Sequence, residues 1–254
     1  MASNSTTGPN YPYVFAFEKI FDHLVVKQWM QTNWSAVCLY AIVIYMIVIF
    51  GGREYMRTRQ RFEMRNILAM WNVFLAVFSI VGTCRTVQEF VHVLSKDKGF
   101  YHSICVLNLE HDPVAGFWGF AFVLSKVPEL GDTVFIVLRK QPLIFLHWYH
   151  HISVLAYTWY SFSEYTAPAR WYCMMNYTVH AVMYSYYALK ALRFRIPRPI
   201  AMVITTLQLI QMIMVGIITQ TVLIQDQIQV LHLLLEMVIL IPQKKPWNIK
   251  INMG

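Results

Sequence analysis

Six times the chain runs through 17 or more residues almost free of charge, over 34–50, 67–94, 114–138, 142–162, 171–192 and 199–224. A helix rises about 1.5 Å per residue, so roughly 20 such residues cross the roughly 30 Å hydrocarbon core of a bilayer. A seventh stretch, 230–241, has only 12 residues and contains His232 and Glu236, and is expected not to span alone. Charged residues make up 13% of the chain, against about 25% in an ordinary soluble domain. The expectation is an all-α polytopic membrane protein, with six spanning helices and a short seventh. It forms one membrane-embedded unit over 1–254, without internal repeats or a soluble domain boundary. Residues 1–32 include Glu18, Lys19, Asp22 and Lys27, which suits an exposed or interfacial lead-in better than a cleaved signal peptide.

The net charge of +8 would suit a nucleic-acid ligand, but its distribution argues against one. Basic residues are sorted onto alternate loops. Arg53, Arg57, Arg59, Arg61 and Arg65 follow the first span, Arg139 and Lys140 the third, Lys190, Arg193, Arg195 and Arg198 the fifth, and Lys244, Lys245 and Lys250 lie in the tail. The opposite side has Lys19, Lys27, Lys96, Lys98 and Arg170. By the positive-inside rule the Arg-rich loops are cytosolic and the N-terminus is lumenal or outside. Asn4-Ser5-Thr6 is then a glycosylation sequon on the side where glycans are added. Cys38, Cys84, Cys105 and Cys173 are too scattered for a zinc pattern or a disulfide framework.

Ionisable side chains within a span are costly, and usually face a bundle interior or a water-filled cavity. Their depths follow from helix rise. His150 lies ten residues from Lys140, His180 ten from Lys190, Glu129 ten from Arg139 and Gln208 ten from Arg198. Each is therefore about 15 Å from the basic end. Lys126 lies about 5 Å deeper and Asp132 about 5 Å shallower. Groups from four predicted helices thus share one layer, and Lys126 and Glu129, a turn apart, can pair. Asn176, His180, Tyr184 and Tyr187 form a polar stripe on one helix. Thr205, Gln208 and Gln211 form another at three-residue intervals. Singly, each would pass as an interhelical hydrogen bond; together they point to a functional cavity. Arg85, Gln88 and Glu89 lie nearer the opposite end and are expected to serve in a structural ion pair.

"LHWYHH", 146–151, places His147, His150 and His151 at i, i+3 and i+4 on one helical face. Such clusters occur in membrane di-iron enzymes, but those need about eight ligands drawn from several boxes, and no second HxxHH or HxxxH is present here. A lone zinc on adjacent helical residues, without an HExxH general base, is also strained. Imidazole acting itself as nucleophile and base is the more economical chemistry.

"KVPELGDT" (126–133), of the form KxxExxDT, "HWYHH" (147–151), "MNYTVHAVMYSYY" (175–187) and "TTLQLIQ" (205–211) occur in this order. Together they resemble the fatty acid elongases of the endoplasmic reticulum. "FGGREYM", "LAVFSIVG" and "RKQPLIFLHWYHH" further resemble the subfamily acting on saturated and monounsaturated acyl-CoAs. The resemblance covers roughly 12–215. It implies seven helices, with helices two to seven surrounding an acyl tunnel as two inverted three-helix units and CoA facing the cytosol. It also implies a decarboxylating condensation of acyl-CoA with malonyl-CoA to 3-ketoacyl-CoA, CO2 and CoA, with no metal or redox cofactor.

In that reading His150 attacks the thioester, while His147 and His151 orient it or move protons. His180, with Asn176 and Gln208, stabilises the enolate oxygen. Lys126, Glu129, Asp132, Tyr184, Tyr187 and Gln211 support the polar layer, and Arg139, Lys190 and Arg193 meet CoA phosphates. Other elongases, and the reductases and dehydratase that complete an elongation cycle, are the implied protein partners.

Departures begin after about residue 224. Family members pair a cysteine in the loop between helices two and three with one after helix six. Cys105 matches the first, but "IQDQIQVLH" offers no second. The stretch 225–254 is also shorter than the family's seventh helix and tail. A catalytically weak form that associates with other elongases is therefore an alternative. A proton-coupled transporter would also gather histidines and carboxylates at one depth, but it would not reproduce all four motifs.

Overall fold

The computed structural model describes residues 9–106 and 112–240, with side chains described through Val222. Asn4 and the tail lysines lie outside the described residues. All regular structure among the described residues is helical. α1 (Ala16–Ile20) leads into α2 (His23–Met46), which continues through a π-helical turn, Ile47–Gly51, into α3 (Gly52–Met56). There follow α4 (Arg65–Leu94), α5 (Gly99–Cys105), α6 (Pro113–Glu129), α7 (Gly131–Leu138), α8 (Phe145–Ser163), α9 (Ala169–Ala191) and α10 (Arg198–Leu240). The expected stretch 230–241 is not a separate helix: as far as Leu240 it continues α10, whose 43 residues would reach about 65 Å.

Among the described residues three rods, His23–Met56, Arg65–Leu94 and Arg198–Val222, are long and apolar enough to cross a membrane. The chain is an all-α, multi-pass membrane protein. α6 with α7, α8 and α9 fall at the other positions where spans are expected, and these carry most of the polar layer.

Local chemistry sets the helix ends. The Asp22 carboxylate accepts from Leu24 N at 3.0 Å and Val25 N at 3.2 Å, supplying donors at a helix start with an acceptor. Asp112 does the same for α6, and Pro113 occupies the first turn, where a missing N–H costs nothing. The α6–α7 interruption follows from Pro128, which has no N–H to give the preceding turn, and from Gly131, where a Cβ would stand 3.1 Å from the Trp71 ring. α9 ends as Arg193 turns left-handed at φ 71°, which lets Phe194 N reach Leu189 O at 3.0 Å.

Neighbouring rods follow the order α2, α8, α6, α4, α9, α10. α4 lies along α9 most extensively, at a separation only glycine permits: a Cβ on Gly82 would sit 2.5 Å from the Tyr177 ring. Tyr177 is itself wholly buried and donates its hydroxyl to Trp118 O at 3.0 Å.

At the end remote from the Arg-rich loops, charged groups staple the rods together. Arg85 binds Glu18 through two hydrogen bonds of 2.9 and 2.6 Å, and Trp118 Nε1 donates to the same carboxylate at 2.7 Å. Arg170 binds Glu89 at 2.8 and 2.9 Å and donates to Ser103 O. The expected structural ion pair on α4 is thus two pairs, each with a partner elsewhere in the chain, while Gln88 bonds its own helix at Cys84 O.

Burial alone would raise the Glu18 carboxyl, but hydrogen bonds from Arg85, Trp118 and the Phe15 N–H hold it below the ordinary carboxylate range. A carboxylate lowered in the folded state binds fewer protons there than when unfolded. Its stabilisation is therefore present above the ordinary carboxylate range and is lost as pH falls through the lowered folded value. Glu18→Gln, which strands the buried Arg85, is expected to cost about 3–5 kcal/mol. Thermal unfolding in detergent should show that gap from neutral to alkaline pH and its closure in acid; a gap independent of pH would contradict the assignment.

Candidate active site

A cavity of about 500 Å³ opens between α4, α6–α7, α8, α9 and α10. Lys126, Glu129 and Asp132 reach it from both sides of the α6–α7 interruption, and His147, His150 and His151 from one face of α8. α9 contributes Asn176, His180, Tyr184 and Tyr187, and α10 contributes Gln208. Arg139 and Lys190, both exposed, stand at its mouth.

The deepest part is a closed set of donors and acceptors. Lys126 Nζ donates to Glu129 Oε1 at 2.8 Å, to Glu129 Oε2 at 2.9 Å and to Asn176 Oδ1 at 2.8 Å. An ammonium has three N–H groups, so all of its donors are engaged. Glu129 Oε1 also accepts from Ser125 Oγ at 2.8 Å. Asn176 Nδ2 lies 3.1 Å from His180 Nε2, and His180 Nδ1 lies 3.9 Å from Glu129 Oε1. One turn nearer the mouth, Asp132 accepts from Trp71 Nε1 at 2.6 Å and from Tyr184 OH at 2.7 Å. The Tyr184 ring meets His180 edge-on, with centroids 5.2 Å apart.

The α8 histidines differ from this set. Their i, i+3, i+4 spacing keeps them on the cavity wall, with His147 and His151 ring centroids 4.7 Å apart and His150 and His151 6.0 Å apart. All three are half-buried. His147 Nε2 is buried without a hydrogen-bond partner. The His150 ring makes no hydrogen bond among the described residues, leaving its nitrogens available to a ligand. Among the described residues no three His, Cys, Asp or Glu side chains form a group able to hold a metal ion.

Gln211 and Arg193 do not line the cavity. Residues three apart on a helix differ by about 60° in direction, so of Thr205, Gln208 and Gln211 only the middle one faces inward. Thr205 bonds its own helix at Ala201 O. Arg193 leaves the line of α9 at its left-handed turn. Trp71 and Asn72 escaped the sequence reading, although Asn72 shares a heptad-spaced buried face of α4 with Ser79 and Thr86; Trp71 holds Asp132, and Asn72 lines the cavity. One turn farther from the mouth, α4, α6, α8 and α9 line a smaller apolar cavity of about 50 Å³. Phe122, Tyr157, Tyr172 and Cys173 line it, and Glu89 and Arg170 border it.

The model of the ELO family, GNS1/SUR4, matches residues 29–246. The chain is 60% identical over 206 residues to the very long chain fatty acid elongase 6 of Drosophila melanogaster, covering 81% of this chain and 65% of that protein. To the human very long chain fatty acid elongase 6 it is 52% identical over 200 residues, covering 79% and 75%. The mouse protein of the same name gives 52% over 200 residues, covering 79% and 74%. The chain thus spans just under two thirds of the fly protein and about three quarters of the mammalian ones.

Tyr184→Phe removes one of the two donors to the Asp132 carboxylate, a hydrogen bond to a charged group worth about 1.5–3 kcal/mol. Tyr187→Phe, at an exposed ring on the same helix, is expected to cost less than about 0.5 kcal/mol. Chemical denaturation in detergent micelles distinguishes them, and equal losses would refute the role given to the Tyr184 hydroxyl.

Proposed function

The chain belongs to the GNS1/SUR4 family of fatty acid elongases, and from that premise we propose that it condenses a long-chain saturated or monounsaturated acyl-CoA with malonyl-CoA. The products are 3-ketoacyl-CoA, CO2 and CoA. The observation that carries this reading is the position of His150. Its unengaged imidazole faces a cavity with two basic side chains at the mouth and an apolar pocket one turn beyond the polar layer. A CoA thioester has this polarity: phosphates at one end, a carbonyl in the middle and a hydrocarbon chain beyond.

A His150 nitrogen attacks the thioester carbonyl carbon, the C–S bond breaks, and CoA leaves as the thiolate that takes up a proton. The acyl group is then held on imidazole. Malonyl-CoA loses CO2, and the electron pair of the broken bond forms the enolate. The enolate carbon attacks the acyl carbon, and His150 is released as 3-ketoacyl-CoA forms. His147 and His151 set the ring of His150 and carry its proton. His180, with Asn176 and Gln208, offers donors to the enolate oxygen. Arg139 and Lys190 meet CoA phosphates. Lys126, Glu129, Asp132 and Tyr184 hold the layer in register. The reaction as written consumes no redox equivalent and needs no Lewis acid.

The distribution of arginines and lysines supports a cytosolic mouth and a lumenal N-terminus in the endoplasmic reticulum membrane. Other elongases, and the enzymes that reduce and dehydrate the 3-ketoacyl product, are the partners this reaction implies.

Purified full-length chain in detergent, given palmitoyl-CoA and labelled malonyl-CoA, is expected to form the two-carbon-longer 3-keto product. His150→Ala is expected to lower the yield at least about 100-fold, and intact-mass analysis without malonyl-CoA should find an acyl adduct in the wild type alone. Undiminished product from His150→Ala would remove the nucleophile from this scheme.

A further inference from the structure

We propose that Lys126 is a positioning residue which, acting through Asn176, fixes the proton of His180 on Nδ1, so that His180 serves the site as a hydrogen-bond donor and not as a second nucleophile. Lys126 Nζ has no lone pair, and it stands 2.8 Å from one end of the Asn176 amide. That end must be the oxygen, because an NH2 there would oppose donor to donor. Lys126 cannot turn away, since its other two N–H groups are bound to the buried Glu129 carboxylate at 2.8 and 2.9 Å.

The amide nitrogen is therefore the atom 3.1 Å from His180 Nε2. An amide NH2 only donates, so Nε2 supplies its lone pair, and the single proton of the neutral ring belongs to Nδ1. An imidazolium, with a proton on each nitrogen, would again face donor with donor. The lone pair a nucleophile or base would use is occupied, in contrast to His150.

The Nδ1–H is not consumed. Glu129 Oε1 is 3.9 Å from it, beyond hydrogen-bond length, and already accepts from Ser125 and Lys126. The edge-on Tyr184 ring limits rotation of the imidazole. A donor thus waits at the cavity wall with an anion near enough to orient it and too far to take its proton. Resting on the condensation reading, its partner is the thioester oxygen of malonyl-CoA, which gains negative charge as CO2 departs; the proton stays on Nδ1 while the hydrogen bond shortens.

The test uses the full chain in detergent with 15N-labelled histidine, the His180 signals being assigned by their loss in His180→Gln. The wild-type ring is expected to show a protonated Nδ1 and a bare Nε2. Asn176→Asp replaces the donor with an acceptor and should move the proton to Nε2, with condensation falling at least about 100-fold, as when one oxyanion donor is lost. Lys126→Met should yield both tautomers; if that variant fails to fold with Glu129 unpaired, the wild-type and Asn176→Asp spectra still decide. A wild-type Nε2–H, a wild-type pattern persisting in every folded variant, or an inverted tautomer with undiminished product would each overturn the proposal. The nitrogen signature needs no substrate. A correct tautomer in a chain that makes no product would therefore sink the elongase reading and leave the positioning by Lys126 standing.

Discussion

A lysine and a glutamate buried a turn apart in a membrane-embedded bundle set the terms for everything around them. Removing an ammonium or a carboxylate from water costs several kcal/mol each even after the protein relaxes, and their mutual attraction repays this only where the remaining donors and acceptors are also met. Here they are met: all three N–H groups of Lys126 and the Oε1 side of Glu129 have partners within 2.9 Å. The third N–H reaches across to Asn176 on α9, and so fixes the rotation of α9 against α6. From Asn176 the constraint passes to His180. A second carboxylate, Asp132, ties Trp71 of α4 to Tyr184 of α9 in the same way. Both carboxylates serve this layer from either side of the interruption at Pro128 to Gly131, Glu129 closing α6 and Asp132 opening α7 three residues on.

The two ends of the bundle use charge differently. Remote from the mouth, Glu18, Arg85, Glu89 and Arg170 are buried and paired, and they join segments far apart in sequence. At the mouth, Arg139 and Lys190 are exposed and form no salt bridge among the described residues, which leaves them to attract anions. Lys140, beside them, is instead occupied: its Nζ donates to Arg57 O at 3.2 Å and Arg59 O at 2.9 Å, clamping the loop after α3 against that after α7. Counting basic residues alone would not have separated these roles.

Much of this was legible in the sequence because a bilayer has a known thickness and a helix a known rise. Counting from the basic loops placed Lys126, Glu129, Asp132, His150, His180 and Gln208 in one layer, and all six line the cavity. The pairing of Lys126 with Glu129 followed from spacing on one helix. What spacing cannot show is a partner on another element: Glu18 for Arg85, Arg170 for Glu89, Trp71 for Asp132. Nor does it show a helix's rotation, and so Gln211 was grouped with Gln208 although about 60° separates them around the axis. The boundary between the sixth and seventh predicted helices rested on hydropathy, which dips at "QDQIQ". Hydropathy reports the solvent a segment prefers, while helix continuity depends on φ/ψ preferences, and glutamine is a good helix former.

The walls of the cavity are unequal in a way that separates its chemistry from its shape. α4, α6, α7 and α9 are locked together by hydrogen bonds to buried charge. Among the described residues α10 contributes Gln208 alone, and that side chain is held by a contact of 3.0 Å to the Met183 sulfur, a weak acceptor. Farther along, α10 is tied to α9 by the hydroxyls of Tyr172 and Thr219 at 2.7 Å and by apolar packing at Ile218. A small displacement of α10 would therefore change the width of the cavity while leaving the Lys126, Glu129, Asn176 and His180 set intact. In such an arrangement apolar substitutions on α10 can alter the width of the cavity without disturbing the Lys126, Glu129, Asn176 and His180 set, while Gln208 is the member of the polar layer that moves with that helix.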